Sequence, residues 1–236
     1  MIQDEVKEMH KRIVKILFII SILSFNLYSQ SIFEDFVKIY NRNGKSYKMY
    51  GTFTDIKDGK KKVNNFDMIV GKDYKLMYLK DNKSLFLANK QGFFIQGEKQ
   101  NSALKISGSY VVTGAANMND LMSINFIDDY KADKVVSSEE VNLVKKNRSV
   151  PYAKATLKKI SGGYSIDFFD NSGKALKKGI YKNNSSAGYF DYMEFYNLII
   201  NTNMSTVCHI SKTEPSSSSS SYFRSENMKM LFSLFK

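Results

Sequence analysis

Cysteine occurs once in these 236 residues, as Cys208, and tryptophan does not occur at all. A single cysteine excludes an internal disulfide and leaves the redox compartment undecided. Histidine is nearly as scarce, with only His10 and His209. One cysteine and one or two histidines cannot supply a zinc site. His209 follows Cys208 directly, and neighbours in a strand point to opposite faces, so the two cannot act as a thiolate–imidazole pair. A P-loop, a dinucleotide fingerprint and a nucleophile elbow are all missing. The carboxylate pairs Asp128-Asp129 and Glu139-Glu140 are adjacent in sequence, which fits a solvated face better than convergent acid–base work. No catalytic residue, metal ligand or cofactor is expected, and the chain does not read as an enzyme.

A bilayer-spanning run is also lacking. Ile13 to Leu23 is apolar but broken by Lys15 and Ser21, and is too short to cross a membrane comfortably. Lys11-Arg12 before it and Tyr28-Ser29-Gln30-Ser31 after it complete the pattern of a secretory signal peptide over residues 1–30. Met9 is an alternative start, and a retained membrane anchor is the alternative role. No cysteine lies near the expected cleavage point, so the exported chain should not itself be lipidated there. Removing residues 1–30 takes away Lys7, Lys11, Arg12 and Lys15 against Asp4, Glu5 and Glu8, so the chain stays strongly basic.

What is present is apolar, aromatic and positively charged. Hydrophobic residues make up 43% and aromatics 14%, with 17 Phe and 15 Tyr. The net charge is +12. The lysines are spread over every segment without a nucleic-acid-binding motif, so a solvated surface or an anionic membrane surface is expected and nucleic acid is not.

Short alternating runs bounded by turn residues predict an antiparallel, up-and-down order. Tyr47 to Lys57 and Lys61 to Val70 flank Lys57-Asp58-Gly59-Lys60, the strongest hairpin signal in the chain. Tyr74 to Lys80, Ser84 to Asn89 and Phe93 to Gln96 follow. Before them, Ile32, Phe33, Phe36, Val37 and Tyr40 lie on one face of a helix that Ser31 can cap and Asn43-Gly44 ends. Residues 97–119 lose the rhythm and read as a flexible connection. Asn117 or Asn119 can cap a helix running to Asp129 that buries Leu121, Met122, Ile124 or Phe126. Val135 to Lys146 leads back to strand. Tyr189 to Ile200 reads as one long strand, with Met204 to Lys212 returning. Ser216 to Ser221 is a linker by composition, and Met228, Leu231, Phe232 and Phe235 recur at helical spacing behind Ser225 as a cap.

The stretch from Ser149 to Asn183 is a three-stranded meander: Tyr152 to Ile160, Tyr164 to Asp170 and Lys174 to Lys182, joined at Ser161-Gly162-Gly163 and Asn171-Ser172-Gly173. With Tyr152-Ala153-Lys154 and Ile166-Asp-Phe-Phe-Asp-Asn-Ser-Gly-Lys-Ala-Leu-Lys-Lys-Gly179, it resembles the LolA-like outer-membrane lipoprotein-sorting proteins of the bacterial periplasm. The closing Tyr222-Phe223-Arg224-Ser225-Glu226-Asn227 is similar to the Phe, polar turn and short helix that end family members. The resemblance implies an α+β fold, an incomplete antiparallel β-barrel with helices covering its concave face, over residues 31–214. Residues 215–236 would form the linker and a docking helix. It also implies a monomeric periplasmic carrier that binds acyl chains of lipoproteins or other lipids, with handover proteins in the inner and outer membranes as partners. Inward apolar positions expected to line the cavity are Phe53, Phe66, Met68, Tyr78, Leu87, Phe94, Leu157, Phe168 and Phe195, with Leu121, Met122 and Phe126 as the lid. The alternatives on the same scaffold are an envelope-stress sensor, a glycolipid carrier or a packed binding module.

Overall fold

Turn chemistry and alternation build one large open sheet. The computed structural model describes residues 32–41, 46–122, 126–148, 150–184, 188–200, 202–217 and 220–235, together with Lys15. The expected signal peptide (apart from Lys15), the Ser31 cap, the Asn43-Gly44 helix stop, Ile124, Ser185-Ser186 and Ser218-Ser219 lie outside the described residues. Five strands run up and down from the start: β1 (Tyr47–Lys57), β2 (Lys60–Val70), β3 (Tyr74–Leu79), β4 (Ser84–Asn89) and β5 (Gly92–Gly97). Asp58 and Gly59 both take positive φ, 50° and 75°, which the tight β1–β2 connection requires and Asp-Gly supplies. A short β6 (Leu104–Ile106) completes this half.

An excursion follows, made of β7 (Val111–Thr113), β8 (Ala116–Asn117), α2 (Met118–Met122) and α3 (Phe126–Asp129). Upstream of the sheet, residues 32–40 are helical and form α1. The second half of the sheet comprises β9 (Tyr130–Ser137), β10 (Glu140–Lys145), β11 (Lys154–Ile160), β12 (Gly163–Phe169), β13 (Ala175–Lys182), β14 (Tyr192–Asn197) and β15 (Met204–Pro215). β15 pairs antiparallel with β1, from Tyr47 opposite Pro215 to Lys57 opposite Met204. The 13 strands run in the order β6-β5-β4-β3-β2-β1-β15-β14-β13-β12-β11-β10-β9. β6 and β9 do not meet, so the barrel is open.

Helices cover the concave face. Phe36 of α1 is fully buried and forms an aromatic hub, with ring centroids 5.2 to 5.5 Å from Phe126, Tyr181, Tyr164 and Phe190. Such edge and tilted contacts add specificity to a large hydrophobic burial. Of the helix expected through Asp129, Met118–Met122 and Phe126–Asp129 are helical among the described residues. Its start is set by Asn117, not Asn119. The Asn117 side-chain oxygen accepts the Asp120 amide at 3.0 Å, and the Asp120 carboxylate accepts the Asn117 amide at 2.8 Å, a reciprocal capping box.

The convex face of β2–β5 is covered as well. After a 3-10 turn at Ser225–Asn227, α4 (Met228–Leu231) and a second turn at Phe232–Phe235 lie across it. Phe223, Met228, Leu231 and Phe232 form a second core with Ile69, Tyr74, Leu76, Leu85, Leu87 and Phe94. The Phe223 ring stacks on Tyr74 at 3.7 Å. Ser225 does not cap α4; Asn227 holds the N-cap position without a side-chain hydrogen bond.

Two strand expectations are corrected. Residues 189–200 are not one strand: β14 stops at Asn197, whose side chain accepts the amides of Ile199 and Ile200 at 3.0 and 2.8 Å. That local bond competes with the ladder. The segment after Asp129 forms two paired strands, β9 and β10, rather than one. Among the described residues, no helix is long and apolar enough to cross a membrane.

Candidate functional site

Between the concave face and the helices lies a cavity of about 500 Å³, within the range of about 300–1,000 Å³ of small-molecule sites. Its floor is Met49 and Phe53 of β1, Phe66 and Met68 of β2, and Cys208 and Ile210 of β15. The Phe53 and Phe66 rings stack at 4.3 Å. Val37 and Tyr40 of α1 and Leu121 of α2 form the other wall. Exposed residues at its edge, Glu34, Lys38, Lys72 and Ile127, mark the mouth at the β2–β3 end of the sheet.

The opposite end is closed by polar contacts. Asp55 accepts hydrogen bonds from Thr113 at 2.5 Å and Thr206 at 2.8 Å, and the Thr206 hydroxyl accepts the Ala115 amide at 2.8 Å. Gly114 sits between, with φ at 46°; a Cβ there would collide with Asp55 and Thr206. This pins the β7–β8 excursion onto the sheet.

A buried ion pair holds α2. Lys177 of β13 bonds the Asp120 carboxylate, their side chains only 7% and 4% exposed, and also donates to the Ala115 carbonyl at 2.8 Å. Burial pushes the Asp120 carboxyl above the ordinary carboxylate range, while Lys177 and the Asn117 amide act against the shift. α2, which carries part of the cavity wall, is thus tied to β13 by this buried charge pair.

The expected site residues divide three ways. Phe53, Phe66, Met68 and Leu121 line the cavity. Met122, Phe126, Leu157, Phe168 and Phe195 belong to the same inner core but lie outside the open space. Tyr78, Leu87 and Phe94 are corrected: they face the other side of the sheet, against the C-terminal segment. The strand register explains this. Phe66 and Met68 stand opposite Leu79 and Met77, so the inward set of β3 is Lys75, Met77 and Leu79, and Tyr78 points outward.

Sequence reasoning missed Lys75, Asp120, Lys177 and the part played by Cys208. The Asn117-x-x-Asp120 spacing was a visible signal for Asp120. Nothing local marks Lys177, whose partner is 57 positions away. Lys75 lines the cavity while only 8% exposed. Its ammonium stands 5.4 Å over the Tyr40 ring. Burial lowers it to about 8, with the charge of Asp129 acting against that fall. Among the described residues, no group of His, Cys, Asp and Glu could hold a metal ion.

Burial also raises the Cys208 thiol. In the folded protein it is expected to react with a thiol reagent orders of magnitude more slowly than after unfolding, because the thiolate is the reactive form. Native labelling at the unfolded rate would contradict the buried position. As a cavity residue, Cys208 also reports occupancy, and a bound acyl chain should slow its reaction further.

Three solved structures share this architecture. A LolA superfamily protein from Nitrosomonas europaea superposes with a TM-score of 0.68 at 17% identity, over 83% of this chain and 97% of its own. A DUF1329 family protein from Desulfovibrio piger gives 0.64 at 14% identity, over 83% and 97%. A domain described as an outer membrane lipoprotein-sorting protein, from Vibrio parahaemolyticus, gives 0.57 at 13% identity, over 78% and 92%. The fold is LolA-like. No family model and no curated protein matches the sequence, and at these identities the likeness concerns the fold alone. In this LolA-like sheet the cavity lies on the concave face, where α1, α2 and α3 cover it.

Proposed function

We propose that this protein is an exported, non-enzymatic carrier that shelters acyl chains of lipids or lipoproteins in the concave cavity. The observation that carries the reading is the apolar space of about 500 Å³ between the sheet and helices that are not part of it. Each acyl methylene moved from water into such a space gains about 0.8 kcal/mol. A chain of ordinary length therefore binds usefully without any cofactor. Leu121 of α2 lines the same space as Phe53, Phe66 and Met68, so an inward movement of its helix would compete with an acyl chain for that floor. Uptake and release are then a shift between two populations of similar free energy.

The lipoprotein-sorting description of the Vibrio protein suggests lipoprotein acyl groups as cargo and handover proteins in the two membranes as partners. In this reading residues 1–30 are the export signal, the protein works in the periplasm, and residues 31–214 carry the cavity. Phe53, Phe66, Met68 and Leu121 contact the chain, while Met122 and Phe126 move with the lid.

Native mass spectrometry of protein purified without detergent tests the reading. An added mass removed by organic solvent, fragmenting to acyl chains, is the expected result. Absence of that mass, combined with failure to take up a fluorescent acyl probe, would leave a packed binding module in place of a carrier.

A further inference from the structure

Lysine occupies an inward position on β3 where the alternation calls for an apolar side chain. Lys75 stands across from Val70 on β2 and Ala88 on β4, in series with the buried Met77 and Leu79. A lysine normally keeps its ammonium in water by extending along the surface. Here the residue is 8% exposed and forms part of the cavity wall. Placing a cation there costs desolvation, which the charge of Asp129 offsets in part.

The position within the cavity is informative. Lys75 lies one turn from Gly71 and Lys72, at the mouth end, whereas Phe53, Phe66 and Cys208 lie deeper along β1, β2 and β15. Lys38 of α1 and Lys72 of the β2–β3 turn also line the opening. The carboxylates lining the same space are Glu34 and Asp120, and Asp120 is held by Lys177. With Asp129 also acting on Lys75, the three lysines at the mouth outnumber Glu34 and Asp129, and the depth is apolar. An ester or amide carbonyl can accept one hydrogen bond from the ammonium. An anionic head adds to that the attraction between opposite charges, which a low-dielectric site strengthens.

Resting on the carrier reading and narrowing its ligand, we propose that the cavity receives an anionic amphiphile, with the carboxylate or phosphate head on Lys75 and the tail between Phe53 and Phe66. An ammonium offers three donors, so the head can be met together with the contacts Lys75 already makes. The Tyr40 ring beside the ammonium closes one side of the head site.

The test uses the full chain and four ligands of one chain length: a fatty acid, an alkyl phosphate, the fatty alcohol and the methyl ester. Each displaces a neutral fluorescent acyl probe. The acid and the phosphate are expected to bind at least about tenfold more tightly than the alcohol and ester, a difference of about 1.4 kcal/mol. Which of the two anions binds better identifies the head. Lys75→Met should abolish the difference between anionic and neutral ligands, and Lys75→Arg should keep it.

The preference should also shrink as the pH rises well above 8, where Lys75 sheds its proton. Among the groups facing it, the Tyr40 phenol is raised by burial and stays neutral there, and the charge of Asp129 favours the protonated lysine. Tyr47 of β1 and Asp120 of α2 also line the space. Equal affinity for all four ligands, unchanged in Lys75→Met, overturns this inference and leaves the carrier reading intact. Uptake of neither the probe nor any ligand overturns both.

Discussion

Ending the chain before Tyr222 is expected to remove most of the protein's stability. The lost segment buries Phe223, Met228, Leu231 and Phe232, each no more than 5% exposed, against the convex face of β2–β5. At about 1.5–3 kcal/mol for each large buried side chain, the loss is roughly 6 kcal/mol or more, comparable with the about 5–15 kcal/mol that holds a typical domain folded. The uncovered surface, Ile69, Tyr74, Leu76, Leu85, Leu87 and Phe94, is a continuous apolar patch, so association or binding of a hydrophobic dye should accompany the loss. Phe223→Ala offers a milder probe. It removes the ring stacked on Tyr74 and should cost about 3–5 kcal/mol. Denaturant unfolding of the two variants decides the matter: a truncated chain as stable as the whole would show that the segment merely rests on the sheet.

The second large effect belongs to the ion pair that ties α2 to β13. Lys177→Met leaves the Asp120 carboxylate buried without its cation, at a cost of about 3–5 kcal/mol. Lys177→Met combined with Asp120→Leu should recover much of that loss, because two apolar side chains need no solvation. A double-mutant cycle by thermal or chemical unfolding measures the coupling. The single variant should also loosen the lid, and faster labelling of Cys208 from the cavity would report it. A single-variant cost below about 1 kcal/mol would place the pair among ordinary surface bridges and refute its role as the tie.

How much of this was legible beforehand depends on the range of the interactions. The hairpins follow from turn residues a few positions apart: Asp58-Gly59, Gly162 and Gly173 lie where positive φ is needed, and the flanking strands alternate. The α1 face was readable from the spacing of Phe33, Phe36, Val37 and Tyr40, and those of Leu121, Met122 and Phe126 were rightly placed inside. The outward turn of Tyr78, Leu87 and Phe94 was not readable. β3 and β4 are apolar on both faces, so period-two alternation carries no sign of which side is which. The sign comes from the register with β2, and the reason for two apolar faces is a C-terminal segment more than a hundred positions away. Asn197 illustrates a shorter failure. The apolar run continued through Leu198, Ile199 and Ile200, and only the Asn197 side-chain bonds to the following amides ended the strand.

By itself, the sequence determined the antiparallel up-and-down order, the turn positions, the first helix and the apolar character of the interior. Each depends on local backbone preference or on the period of a single element. The tertiary structure alone decided that β15 closes on β1, that the sheet opens between β6 and β9, and that Lys75 stands inside while Tyr78 stands outside. It also paired Asp120 with Lys177 across 57 residues. These are choices of register and of face between segments far apart in the chain, and a strand carries no local record of the partner that will cover it.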